Sequence, residues 1–419
     1  MIRRNKLIAL LILSSGIATQ GFELWSDPNG VHRTDLDVAG KWTTQASHAP
    51  LDPVLHPERD SVSQYLRFRL GLDTHWHDRI DTQLAYEQRA FWLSDPVTGR
   101  TQLAAPQDTL YRVTPADWQI ADHRDHLAYR HEIDRAHVAY HPDWGEVIAG
   151  RQAIGLGRGV IFSSLDLFAP FSPLDVDREW RRGVDALRAE YRLTDTSSAE
   201  VIGVFGETWE QSALLGRVRG YIGNMDGELI AGKRALDRFV GTSLSATLLE
   251  AEVHAECMLF HTPEVIETET VFSNDHTALK AVLGASYTFD VGSGLSVLGE
   301  YQYNGFGVED ASQLNLRMLD QAFQRRILYG DMQTLGQDAL ALQCGYLLGD
   351  SVSMALLLLN NPGDHSGLAI PNLVWDINSS MRLLGSVYLP WGDPTNNGQI
   401  QSEYGGTPLS ALIQLAAYR

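Results

Sequence analysis

The chain has 419 residues, 44% hydrophobic and 20% charged, with a net charge of −19 and two cysteines. So acidic a balance excludes the basic surface that nucleic acid requires. Cys257 and Cys344 lie too far apart for a disulfide framework or a cysteine zinc site, and no apolar run beyond the N-terminus nears the ~20 residues of a membrane helix.

The N-terminus reads as a secretory signal over residues 1–18. Arg3, Arg4 and Lys6 form a basic start, 7–13 is apolar, and Gly16 and Ala18 make a small-residue exit. Cleavage there removes three positive charges and no acids, so the mature chain is more acidic still. No cysteine follows the exit to carry a lipid. Residues 19–34 then form a short periplasmic N-terminal segment.

From residue 35 the sequence alternates. Leu36, Val38, Gly40 and Trp42 oppose Asp35, Asp37 and Lys41. Leu66, Phe68, Leu70 and Leu72 oppose Arg67, Arg69 and Asp73. Successive side chains of a strand point to opposite faces, so each segment has one apolar face and one polar face. The pattern recurs near 79–93, 127–141, 145–153, 184–193, 199–207, 213–223, 226–235, 238–248, 250–260, 276–289, 294–304, 337–348, 351–360, 367–377, 379–389 and 408–418. Tyr191, Tyr287, Tyr301, Tyr346 and Trp375 fall near segment ends on the apolar parity, where a membrane barrel carries its aromatic girdles.

The connections carry a second signal. Tight turns such as Gly223–Gly227 and Asp290–Gly294 largely alternate with long connections at 94–126, 154–183, 261–275, 305–336 and 390–407. Short periplasmic turns and long external loops are the habit of transmembrane barrels. The expected fold is therefore all-β: an antiparallel up-and-down transmembrane barrel over 35–419, with about eighteen strands, or sixteen if one hairpin is miscounted. A soluble pair of β-sandwiches is the competing fold. Its faces would need more large aliphatic residues than these, which are rich in Ala, Gly and Tyr.

In such a barrel the polar parity faces the lumen. Arg67, Arg69, Arg89, Arg151, Arg188, Arg192, Arg217 and Arg219 come from the first half, and Glu250, Glu252, Glu256 and Glu300 from the second. Closing the sheet sets a mainly basic wall against a partly acidic one, an arrangement that lines pores and sets ion preference. Residues 154–183 are too aromatic and proline-rich for a floppy loop and too irregular for strands. They are expected to fold partly into the lumen, with Phe162, Leu165, Leu167, Phe168 and Phe171 on the wall. Asp175, Asp177, Arg178, Glu179, Arg181 and Arg182 would then face water as a constriction. An external cap is the alternative.

Other chemistry is weakly supported. Gly155, Gly157 and Gly159 have the spacing of a phosphate-cradling loop but lack its Lys and its helix. His75, His77, His123, His126, His131, His137 and His141 cluster in sequence without the convergent spacing of a metal site. No nucleophile, base and orienter can be placed together. No catalytic residue, metal or cofactor is expected.

Several runs carry a family resemblance: Gly150-Arg151-Gln152, Gly157-Arg158-Gly159, 168–173, Asp177-Arg178-Glu179, 183–188, 299–305 and 402–405. They resemble a family of Gram-negative outer-membrane barrels similar to porins and to alginate-export barrels. The chain departs from it at the end, closing on Ala417, Tyr418 and Arg419 where such barrels carry a terminal Phe or Trp. The resemblance implies an outer-membrane channel for passive diffusion of small hydrophilic or charged solutes. Its surroundings would be outer-membrane lipid and lipopolysaccharide, and the barrel assembly machinery would insert it. A polysaccharide exporter, a plugged structural barrel and an outer-membrane enzyme are the alternatives.

Overall fold

The computed structural model describes residues 22–27, 31–94, 110–114, 117–123, 126–175, 177–264 and 276–419. The expected signal and parts of the connections 94–126 and 261–275 lie outside the described residues.

The first ten strands are β1 (Phe22–Ser26), β2 (His32–His48), β3 (Asp60–Trp76), β4 (Ile80–Leu93), β5 (Asp117–His123), β6 (Leu127–Tyr140), β7 (Gly145–Gln152), β8 (Val184–Thr194), β9 (Ser197–Val204) and β10 (Ala213–Ile222). The second ten are β11 (Met225–Arg234), β12 (Asp237–Leu248), β13 (Ala251–His261), β14 (Thr277–Phe289), β15 (Leu295–Asn304), β16 (Asp338–Leu347), β17 (Val352–Asn361), β18 (Ser366–Asn378), β19 (Met381–Trp391) and β20 (Leu409–Tyr418). Two short helices, α1 (Leu314–Arg317) and α2 (Gln321–Leu328), interrupt the connection between β15 and β16.

Eighteen of these strands close an antiparallel barrel. Neighbours in sequence pair, β4 reaches past β5 to β6, and β20 closes on β2 from Ala39↔Tyr418 to His48↔Leu409. They are the eighteen segments read from the alternation, with the first beginning at His32 instead of 35. The other two strands are additions at the rims. β5 pairs with β6 alone, inside a stretch expected to be a connection. β1 pairs with β2 alone, inside the expected N-terminal segment.

β1 has a structural reason to form. β2 runs past the end of β20, so part of its edge would be left without a partner. Val38 and Arg419 exchange two backbone hydrogen bonds of 2.8 Å, and one step on, Leu36 pairs with Phe22. β1 thus continues the row of β20, and the Arg419 guanidinium sits 5.7 Å from the Phe22 ring.

The barrel is inside-out. On β3, Leu66 is 54% exposed on the outer face, and Arg67 next to it is 7% exposed within. The same contrast holds at Leu187, Val201, Leu229, Leu283 and Ile413, all exposed on outer faces. So continuous an apolar surface is stable only in hydrocarbon, which marks the wall as membrane-spanning. No helix among the described residues is long and apolar enough to cross a membrane.

The lumen has an apolar core of its own. Ile202, Leu215, Ile230, Phe239, Met258 and Phe260 face inward, and Ile154, Leu165, Leu167 and Phe168 pack on them with Phe306. A second cluster sets Ile161 and Phe162 against Leu298, Leu357, Leu359 and Ile370. Burying these side chains on the wall gives the irregular segment 154–183 its fixed position.

Candidate functional site: the lumen and its inward segment

The charged site is built by strand parity and by one fault in it. On β3, β4 and β6 the register brings Arg67 opposite Arg89 and Arg69 opposite Glu87, with Glu87 opposite Glu132. A bulge in β6 between its pairings with Ala85 and Tyr86 inserts one extra residue. Even-numbered residues face inward before it and odd-numbered ones after it, so the adjacent Asp134 and Arg135 are both buried inside.

Glu87 is the hub. It is fully buried and accepts from Arg67 at 2.7 Å, from Arg89 at 2.7 Å and from Arg69. Glu132 takes Arg89 at 2.9 Å and Arg112 at 2.7 Å, and Asp134 takes Arg69 at 2.8 Å and Arg135. Each buried charge thus has an opposite charge within hydrogen-bond reach, without which it would be very costly.

The inward segment completes the cluster. Asp177 accepts from Lys41 at 2.8 Å and from Arg67 at 3.0 Å. Glu179 accepts from Lys41 and, at 2.8 Å, from the hydroxyl of Tyr418. Trp180 lies between, with Lys41 Nζ 4.1 Å and the Arg67 guanidinium 4.7 Å from its ring. Burial pushes the Asp177 carboxyl up, but Lys41 and Arg67 more than reverse this and hold it at about 2.

Further round the wall, Arg188 bonds Glu200 at 2.7 Å, Arg217 bonds Glu228 at 2.8 Å, and Arg219 bonds Glu190 at 2.7 Å. Arg151 holds Asp185 at 2.7 Å. Arg192 is exposed near the short-turn rim. The first-half arginines named from sequence, Arg192 aside, are thus largely neutralised on their own side of the barrel, and the field across the lumen is weaker than an unpaired basic wall would produce. Parity could have found Glu200 and Glu228, which are inward-facing on neighbouring strands. Asp134 and Arg135 lay beyond it because the bulge is silent in the pattern.

The second-half acids divide. Glu250 sits in the turn before β13, 3.3 Å from the Tyr287 hydroxyl, and Glu252 is exposed. Glu256 and Glu300 face inward but are covered, 2% and 3% exposed, beneath residues 158–165. Within 154–183, Arg181 bonds Asp166 and, at 2.7 Å, the Ala169 carbonyl, and Arg182 lies 3.3 Å from Glu132. These charges were expected to face water, but burial in the lumen forces them into pairs.

Asp175 and Arg178 are the exception in setting. Asp175 accepts from the Ser172 backbone and Arg178 donates to the Ser172 carbonyl at 3.0 Å. Both border a small cleft between the segment and the wall of β16–β19, lined also by Gln343, Asn372, Ser386 and Tyr388. The inward side chains there are neutral. Among the described residues no three potential ligands converge as a metal would need. His75 and His141 instead share Asp81, at 2.7 and 2.9 Å.

No family model matches the chain, and no curated protein matches it. Solved structures do. OccAB1 of Acinetobacter baumannii superposes with a TM-score of 0.55 at 10% identity, over 97% of this chain and 99% of that one. OccK9 (OpdG) of Pseudomonas aeruginosa gives 0.56 at 10% identity, over 92% and 98%. OccAB3 of Acinetobacter baumannii gives 0.55 at 7% identity, over 92% and 99%. Identities this low speak to architecture alone. In architecture the agreement is near full length, and the chain has the fold of the outer-membrane porins: a closed eighteen-stranded antiparallel barrel.

Proposed function

We propose that this protein is an outer-membrane channel through which small hydrophilic or charged solutes diffuse. The observation that carries the reading is the polar lumen, lined by Arg67, Arg69, Arg89, Arg188, Arg217 and Arg219 with their acids and narrowed by 154–183. A wall that is apolar outside and charged inside has no use for that interior unless water occupies part of it. Beside β16–β19 the segment leaves a cleft at the wall, bordered by Asp175 and Arg178. Passage, not reaction, is the activity, and lipid and lipopolysaccharide are the surroundings.

Purified protein in a planar bilayer should give stable stepwise current. Neutralising Arg67, Arg69 and Arg217 together to Gln should shift the reversal potential in a salt gradient toward cation preference. Absence of current in the native protein would overturn the channel reading. The apolar packing inside the lumen favours a plugged structural barrel as the second reading, and such a barrel stays silent in the same experiment.

A further inference from the structure

The glycine run leads into an anion cradle, the backbone of 158–165, and the anions it holds belong to its own barrel. Glu256 accepts from the backbone N–H groups of Arg158, Gly159 at 2.7 Å, Ser164 at 2.6 Å and Leu165 at 3.2 Å, and from the Ser163 hydroxyl at 3.0 Å. Glu300 accepts from those of Val160 at 2.7 Å, Ile161 at 3.0 Å and Phe162 at 2.8 Å. The Ser163 N–H goes to Gln333 at 2.8 Å. Every backbone N–H from 158 to 165 is therefore held by a side chain outside the segment.

We propose that Glu256 and Glu300 are positioning residues that pin 158–165 across the lumen and so set the bore of the channel. This rests on the channel reading above and adds to it which residues fix the constriction. An irregular buried segment has no ladder to take its N–H groups, and leaving them unpaired would be costly. Two carboxylates, each able to accept several bonds, meet that need, and N–H bonds to a carboxylate are the stronger kind.

The strand register places the pair. Glu300 lies opposite Gly284, and Gly284 opposite His254. A Cβ at 284 would come within 2.3 Å of His254 Nε2, so only glycine there lets His254 reach over β14 to bond Glu300 at 2.9 Å. His254 thereby orients one carboxylate. The cradle is equally specific. Gly157 has φ +91°, and a Cβ on it would fall 2.4 Å from Glu256 Oε1. No carboxylate of a solute is needed to explain this nest, and the two glutamates are taken out of the set of charges that a solute could meet.

The test uses the full-length barrel carrying Glu256→Gln, Glu300→Gln or both. Each places an amide N–H₂ among N–H donors. Barrel closure is checked by heat-modifiable electrophoretic mobility. In closed barrels single-channel conductance should rise at least about twofold, because the bore is set by the segment's position. Ser164→Cys, with both native cysteines replaced by alanine, reads the segment directly. Ser164 is fully buried, so a membrane-impermeant maleimide should label it slowly in the native background and at least about tenfold faster once the carboxylates are gone. Gly157→Ala displaces the cradle while leaving both carboxylates and should act in the same direction. Unchanged conductance together with a still-protected Ser164→Cys in closed barrels overturns the proposal. Labelling does not depend on current, so a silent native protein would remove the channel reading and leave the tether under test.

Discussion

Single residues here do two kinds of electrostatic work. Glu87 binds three guanidinium groups at once while fully buried. Glu87→Gln leaves those charges with one carboxylate fewer, and stripping a buried ion pair of one partner costs roughly 3–5 kcal/mol. The variant should refold into vesicles with a lower urea midpoint, and the unfolding free energy obtained from it should fall by an amount in that range. Asp177 does its work at the segment. Its carboxyl lies at about 2 when folded against 3.8 when free, so its share of the stability is complete above pH 3.8 and is lost as pH falls from there through 2. Urea midpoints measured over that window should fall for the native protein, and Asp177→Asn should show a smaller fall with a lower plateau above it. Equal slopes would remove Asp177 from the account.

Strands explain why the lipid face tolerates so little. β11 carries Leu229 outward between Glu228 and Ile230, which face in. A one-residue change of side therefore exchanges hydrocarbon for the charged lumen. Leu229→Arg should cost about 2–4 kcal/mol if its position is near the bilayer midplane and less toward a rim. Urea titration of the refolded barrel reads this directly, and no measurable loss would argue that this face is not in lipid. The irregular elements follow another logic. The β6 bulge spends one ladder position to aim Asp134 and Arg135 into the same cluster. β1 exists because β2 outruns its partner at the seam.

For the molecule as a whole, the alternation gave seventeen of the barrel strands and the even count asked for the one before them, because period two on a half-buried strand is a local property written residue by residue. The closure of β20 on β2 followed from the even count. The inward set Arg67, Arg69, Arg188, Arg217 and Arg219 was legible for the same reason. What lay beyond the sequence was every fact that joins distant parts of the chain. Lys41 meets Asp177 and Glu179, Tyr418 meets Glu179, and Glu256 meets the backbone of 158–165, across separations that no spacing encodes. β1 and the β6 bulge were equally silent, since one depends on where another strand ends and the other breaks the period used to read it. The sequence by itself pointed to the barrel, its two faces and a count of about eighteen strands, through side-chain parity, the alternation of short and long connections, and the even count that closure requires. Only the tertiary structure decided which lumen charges remain free and which are tied, because pairing in a closed, desolvated interior is a matter of three-dimensional proximity.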